Sequence, residues 1–215
     1  DADLAAWMAA EVSFPNSMVD RITPATEDEH RQLLRDEYGV EDAWPVIAEP
    51  FLQWVIEDTF VAGRPRWELA MPSDVLVTSN VEPYELMKLR LLNSAHSALS
   101  YAALLCDHVH VDSALADPDV FAYLRAYMSE VVKTLEEVQG VDLAEYQRSL
   151  LERFSNTYIK DKLSRLALDG SQKFMNTLKD ALLAYREKMA FTREITAKAA
   201  NWILPRDRHA GEGTS

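Results

Sequence analysis

The stretch YELMKLRLLNSAHSALSYAALL, residues 84–105, contains no proline or glycine and follows start signals at Asn80 and Pro83. It therefore predicts the longest helix of the chain. Apolar side chains that recur every three or four residues, together with cap signals, predict further helices. In one of them the string TEDE predicts a cap at Thr26 that pairs with Glu29. The further helices are predicted at residues 3–12, 26–38, 117–139, 142–154, 159–168, 172–186 and 191–202.

Strands are predicted in only two places. Within residues 44–60, β-branched and aromatic side chains around two prolines predict two short strands, and residues 75–77 predict a third. The predicted fold class is therefore mainly α, a multi-helix bundle with a small strand element. We predict one helical domain over residues 1–204, followed by a polar tail at residues 205–215.

Composition excludes several classes of function. The chain has 215 residues and a formal net charge of −13, which argues against a nucleic-acid partner. It has no apolar run long enough to span a membrane and no N-terminal export signal, and its single cysteine, Cys106, suits a reducing compartment. We therefore predict a cytoplasmic protein. The six glycines cannot form a G-x-G-x-x-G turn or a phosphate-binding loop.

Three polar side chains lie on the long predicted helix among leucines and alanines. At about 100° per residue, His96 lies about 80° and Asn93 about 140° around the helix axis from Lys88, so all three can line one broad wall. A polar cavity would offset the cost of burying them, with the lysine as proton acceptor and the amide as donor to an oxyanion. Alternatively, Lys88 pairs with Glu85 on a solvated face, Asn93 is at the surface, and His96 is a satisfied histidine.

Two further segments offer charged side chains. In FPNSMVDRITP, residues 14–24, Asp20 lies between two prolines, although a buried turn with an Asp20–Arg21 ion pair explains the string equally well. Arg165 and Lys173 flank a break that contains glycine, where cations could clamp hydroxyls or a carboxylate. Alternatively, Arg165 interacts with a helix C-terminus and Lys173 is solvated.

The string CDHVHVD, residues 106–112, is a candidate metal site. His108 and His110 alternate there beside Asp107 and Asp112, and such residues can bind zinc or iron. A polar loop between helices gives the same string, and we predict no metal. The chain has no G-x-S-x-G or H-E-x-x-H motif to support common hydrolase chemistry.

Four strings resemble, in the same order, the long-chain mannitol dehydrogenase family, the polyol-specific dehydrogenases that also include fructuronate and tagaturonate reductases. The resemblance covers most of residues 8 to about 182, and the K-x4-N-x2-H pattern of the long helix is its most specific part. It implies a fold similar to the C-terminal helical domain of 6-phosphogluconate-dehydrogenase-like enzymes. The strings are FPNSMVDRITP, EPFLQWVIED, VEPYELMKLRLLNSAHSALSY and RFSNTYIKDKLSRLALDGSQK.

The resemblance implies metal-independent hydride transfer between the nicotinamide of NAD or NADP and a secondary alcohol, as between D-mannitol and D-fructose. Lys88 matches the general base, Asn93 an amide that stabilises the alkoxide, and His96 a histidine that orients the substrate oxygen. A second group matches side chains that hold the other hydroxyls of the polyol or ketose: Asp20, Arg165 and Lys173.

The chain also departs from the family pattern. Family members begin with a Rossmann domain that binds the cofactor and supplies a second asparagine, and we expect this domain to be missing and the chain alone to be inactive. Beyond about residue 183 the sequence drifts from the family. A fructuronate (mannonate) reductase or another polyol or uronate reductase of the family is an alternative. A non-catalytic helical binding module is an alternative of another class.

Overall fold

The computed structural model describes residues 1–173, and about half of these are helical. The part of the chain described contains ten α-helices, three β-strands, a π-helical segment and a 3₁₀ turn. The α-helices are α1 (Ala2–Glu11), α2 (Asp28–Tyr38), α3 (Trp67–Ala70), α4 (Glu82–Met87), α5 (Ser94–Leu104), α6 (Val111–Leu115), α7 (Pro118–Val131), α8 (Leu143–Phe154), α9 (Leu163–Leu166) and α10 (Gly170–Lys173). The strands are β1 (Ser17–Asp20), β2 (Gln53–Glu57) and β3 (Val75–Thr78), the π-helical segment is Lys88–Asn93, and the 3₁₀ turn is Val132–Thr134.

The three strands form one small sheet with β2 at its centre. Strand β2 pairs antiparallel with β1, with Asp20 opposite Gln53, and parallel with β3. The prediction of β3 is confirmed, but residues 44–60 form one strand rather than two. Strand β1 was not predicted, because its two buried positions are Met18 and Asp20, and a buried aspartate breaks the apolar alternation that marks a strand.

The long predicted helix is confirmed over residues 82–104, which we call the central helix. It consists of α4, the π-helical segment and α5 without interruption. In the π-helical segment, bonds between residues five apart replace bonds between residues four apart, which the sequence pattern did not predict. The central helix packs against α7 and α9. Core side chains with no exposed surface include Met87, Leu91, Ala95, Leu99, Leu124, Leu150 and Leu163.

Helix boundaries follow their caps. Asp142 caps α8 as predicted, accepting from the backbone N–H of Ala144 at 2.8 Å. Helix α2 instead begins after Glu27, in a reciprocal box with His30, so the predicted cap at Thr26 was wrong. The Thr26 hydroxyl donates to the Pro45 carbonyl at 2.6 Å, which takes it away from the helix end.

Two predicted helices are shorter in the structure. The segment predicted as a helix at 159–168 contains only α9, because Lys160 has a φ of 49° and Lys162 forms a β-bridge with His110. Helix α7 ends at Val131, after which one 3₁₀ turn leads into a loop before Gly140.

Three predictions fall wholly or largely beyond the described residues. The helix predicted at 172–186 is described only through Lys173, at the end of α10. The helix predicted at 191–202 and the tail at 205–215 lie outside the described residues. The assignment of residues 1–204 to one domain stays a prediction. None of the helices within residues 1–173 is long and apolar enough to cross a membrane.

Candidate active site

A cavity of about 310 Å³ lies between the central helix, the segment after β1, and helices α9 and α10. Its volume is within the range of small-molecule sites. The side chains predicted to share a polar cavity line it, and those predicted to clamp hydroxyls lie on its other walls. All six candidate residues are in its lining: Asp20, Lys88, Asn93, His96, Arg165 and Lys173.

The π-helical segment places Lys88 and Asn93 on the same wall. In α-helical geometry, residues five apart point about 140° away from each other. Bonding between residues five apart reduces this angle, and Lys88 and Asn93 are the first and last residues of the π-helical segment. The local helix geometry therefore helps both side chains to line the same cavity.

Neither side chain is engaged by another side chain in the part of the chain that the structure describes. Lys88 is half-buried, and no side chain within residues 1–173 pairs with it, so the expected alternative of a Lys88–Glu85 pair does not form. Asn93 is also half-buried; its backbone carbonyl accepts from the Ser97 hydroxyl at 3.2 Å, and no residue within 1–173 hydrogen-bonds its side chain. As far as the described residues go, the amine and the carboxamide are both open to a ligand in the cavity.

The His96 ring stacks on Phe154, with ring centroids 4.2 Å apart and an angle of 25° between the planes. The pKa of His96 is lowered to about 4, mainly by burial; Arg165 and Arg153 also lower it, whereas the charges of Asp161 and Asp20 raise it. The imidazole is therefore neutral at pH 7, with one nitrogen that donates and one that accepts.

Asp20 is almost fully buried, and both of its carboxylate oxygens are bound by the protein. Arg153 donates to Oδ1 at 2.7 Å and to Oδ2 at 3.0 Å, and the Tyr146 hydroxyl donates to Oδ2 at 3.0 Å. Burial and the charge of Asp20 raise the pKa of Tyr146 well above its ordinary value, so the phenol keeps its proton. Asp20 lies in the cavity wall with its charge already paired.

Arg153 also binds a second buried carboxylate, that of Glu49. Its Nη2 donates to Oε1 at 2.7 Å and its Nε to Oε2 at 3.0 Å, while the guanidinium lies 3.9 Å from the centre of the Phe51 ring. Burial alone would lower the pKa of Arg153, but the hydrogen bonds that it donates to Asp20 and Glu49 raise it above its ordinary value. The expected partner Arg21 donates to the Glu49 backbone carbonyl instead, at 2.9 Å.

The two cations beyond the central helix are held by α9 and its flanks. Arg165 donates to both oxygens of the buried Asp161, at 2.8 and 2.5 Å, rather than to a helix C-terminus. Lys173 donates to the backbone carbonyl of Leu166 at 2.9 Å. These bonds fix the position of both cations on the cavity wall.

The segment CDHVHVD does not converge on one point. His108 contacts Asp117 at 3.2 Å, and Asp112 pairs with Lys160 at 2.6 Å. No group of three side chains suited to holding a metal ion occurs among the described residues.

Models of two mannitol dehydrogenase domains match the chain. The Mannitol dehydrogenase Rossmann domain matches residues 1–69, and the Mannitol dehydrogenase C-terminal domain matches residues 80–213. Asp20 falls in the first match, and the other five candidate residues fall in the second. The cavity is thus built from both matched regions.

Curated relatives are similar over most of the chain. Mannitol dehydrogenase 2 of Saccharomyces cerevisiae is 48% identical over 174 residues, which are 80% of this chain and 34% of the relative. Mannitol 2-dehydrogenase of Phaeosphaeria nodorum is 44% identical over 202 residues, 94% of this chain and 36% of the relative. The chain spans about a third of the length of these relatives.

Two solved structures share the fold. Pseudomonas fluorescens mannitol 2-dehydrogenase, in a ternary complex with NAD and D-mannitol, is 50% identical with a TM-score of 0.74, covering 82% of this chain and 36% of its own. A D-sorbitol dehydrogenase in substrate-free form is 36% identical with a TM-score of 0.76, covering 85% of this chain and 37% of its own. The match of the C-terminal domain model over residues 80–213, together with these relatives, shows that the chain belongs to the mannitol dehydrogenase family.

Proposed function

We propose that this chain supplies the substrate site of an NAD-dependent polyol dehydrogenase that interconverts D-mannitol and D-fructose. The observation that carries the proposal is that a cavity is lined by a neutral imidazole together with an amine and a carboxamide whose side chains have no partner within residues 1–173. Two fixed cations lie on another wall. The similar enzyme from Pseudomonas fluorescens, whose structure holds NAD and D-mannitol, supports the choice of cofactor and substrate.

In this mechanism the protein moves the hydroxyl proton. Lys88 takes the proton of the reacting hydroxyl while the carbon loses a hydride. The Asn93 amide donates to the oxygen as negative charge develops on it, and neutral His96 holds a substrate oxygen in place. Arg165 and Lys173 bind the remaining hydroxyls, and Asp20 contributes to this wall through its fixed carboxylate.

NAD would accept the hydride, but the described residues do not provide a site for its phosphates. The glycines of the chain cannot form the turn that dinucleotide-binding domains use. We therefore propose that a complete Rossmann domain holds the cofactor and that this chain is inactive without it. We also propose that the reaction needs no metal, that the protein is cytoplasmic, and that the helical part follows the 6-phosphogluconate-dehydrogenase-like architecture.

The alternatives lose support from the shape of the site. A non-catalytic helical module has no need for a lysine, an asparagine and a histidine that line one cavity. A uronate reductase of the same family differs from this proposal only in its substrate. Comparing the rates of oxidation of D-mannitol, D-sorbitol and D-mannonate would distinguish the two. A preference for D-mannonate would overturn the assignment to D-mannitol.

The test joins this chain to a complete cofactor domain of a family relative and follows NADH formation with D-mannitol. Removing a general base typically costs about 10²- to 10⁴-fold in rate, so Lys88→Ala should lower kcat by about that factor. Lys133→Ala is the matched control, because Lys133 pairs with Glu130 on the exposed surface away from the cavity. Equal turnover in the two variants would remove Lys88 from its role.

A further inference from the structure

A second, much smaller cavity lies on the other side of His96. It has about 10 Å³ of space, which is roughly what one water molecule occupies by this measure. His96, Ile22 and Asp161 line both cavities, so the imidazole stands in the partition between them. The small cavity also borders Asp112 and Asn156.

Asp112 has a buried carboxylate oxygen that no described residue hydrogen-bonds. Its side chain is 6% exposed, and its Oδ2 accepts from Lys160 at 2.6 Å, but its Oδ1 has no hydrogen bond to any residue within 1–173. An unpaired buried carboxylate oxygen is costly, and such atoms are usually satisfied by ordered water. A carboxylate only accepts hydrogen bonds, so whatever occupies the cavity must donate to it.

The other polar groups around the cavity favour water over a cation. Asn156 uses its Oδ1 to accept from the Tyr158 N–H at 3.0 Å, which leaves its amide N–H groups as donors. The oxygens of Asp161 are bound by Arg165. A metal cation needs several oxygen ligands, and among the described residues that line this cavity only Asp112 has an unpaired carboxylate oxygen.

We propose that one ordered water in this cavity connects His96 to Asp112. The water donates to Oδ1 of Asp112 and accepts the N–H of the His96 ring. Because a neutral imidazole has one N–H, the second ring nitrogen then presents its lone pair to the substrate cavity. That nitrogen accepts a hydrogen bond from a polyol hydroxyl, and Asp112 is a positioning residue that acts through the water.

The water and the tautomer can be observed directly in the unsubstituted chain. A high-resolution crystal structure should show density between Oδ1 of Asp112 and the ring of His96. Nitrogen NMR of the ¹⁵N-histidine-labelled chain should show one dominant His96 tautomer, with the proton on the nitrogen that faces this water. Absence of the density, or a proton on the nitrogen that faces the larger cavity, would overturn the proposal.

Asp112→Asn tests the kinetic consequence, which rests on the proposed function. The new amide can donate a hydrogen bond to the water, whereas the carboxylate only accepted one. The water can then donate to the His96 ring instead of accepting from it, so the preference for one tautomer is lost. With one substrate hydrogen bond weakened, KM for D-mannitol should rise about five- to tenfold while kcat changes little.

Lys160→Met is the matched control, because it removes the ion pair of Asp112 but leaves Oδ1 in place. Lys160 is half-exposed, so KM should stay within about twofold of the unsubstituted enzyme and the His96 tautomer should not change. An equal rise of KM in both variants would mean that Asp112 acts only through its ion pair, which would contradict the proposal. A tautomer change in Asp112→Asn in an enzyme with no polyol activity would support the water and reject the proposed function.

Discussion

Replacing Arg153 with methionine should destabilise the protein far more than any surface charge change. The guanidinium holds two carboxylates, those of Asp20 and Glu49, which are each about 1% exposed. It makes bonds of 2.7 to 3.2 Å to them, and methionine keeps the aliphatic volume but none of these bonds. Two buried negative charges would then face each other without a counter-ion.

The size of the loss in stability follows from the burial of the two carboxylates with Arg153. Removing one partner of a buried ion pair typically costs about 3–5 kcal/mol, and here a single change strips the counter-ion from two carboxylates. We therefore expect the free energy of unfolding to fall by about 4 kcal/mol. That is a large part of the roughly 5–15 kcal/mol that stabilises an ordinary domain. Adding Glu49→Gln to Arg153→Met should recover part of the loss, because only one uncompensated charge remains.

Urea unfolding at pH 7, followed by circular dichroism, measures this effect. Arg148→Met is the matched control, since Arg148 lies on the same helix and pairs with Glu145 while 61% of its side chain is exposed. It should leave the unfolding midpoint almost unchanged. If Arg153→Met shifted the unfolding midpoint no further than Arg148→Met, the carboxylates of Asp20 and Glu49 would not be buried against Arg153. The arrangement of Asp20 in the cavity wall would then be incorrect.

Two further predictions concern stability. Because the pKa of His96 falls from 6.5 to about 4 on folding, the unfolded chain takes up a proton first as pH drops. The contribution of neutral His96 to stability is therefore present above pH 6.5 and is lost as pH falls from 6.5 toward 4. His96→Gln should make that loss smaller by up to about 2 kcal/mol, measured as urea unfolding at pH 7 and 4.5, and an identical loss would contradict a buried neutral imidazole. Leu99→Ala, in the core, should lower the free energy of unfolding by about 2–5 kcal/mol, whereas Leu105→Ala, at a position 76% exposed, should lower it little. Equal losses in urea unfolding of the two variants would be inconsistent with the packing of the central helix.

The elements that depend on local chemistry could be predicted from the sequence. Asp142 caps α8 because an aspartate side chain reaches the free N–H groups of the next residues wherever a helix follows it. The spacing of Lys88, Asn93 and His96 on one apolar helix likewise indicated a polar wall. These signals need only a few neighbouring residues.

Contacts between distant segments could not be predicted in the same way. Asp20 and Arg153 are 133 positions apart, and nothing in either local string indicates the other. The Asp20–Arg21 pair was one of two interpretations of this string, because the local sequence offers Asp20 only its neighbours as partners. The strand that carries Asp20 was missed for the same reason, since its aspartate is acceptable in the interior only once Arg153 and Tyr146 are placed beside it.

The sequence by itself determined the helical class of the fold and the residue types available for proton transfer, because side-chain pattern and helix periodicity act over a few residues. Only the tertiary structure decided how those residues meet. The π-helical segment carries Lys88 and Asn93 to the cavity, and α9 and α10 bring Arg165 and Lys173 to it. Such placements depend on packing between segments far apart in the chain, where the free energy of burial, rather than local preference, selects the conformation.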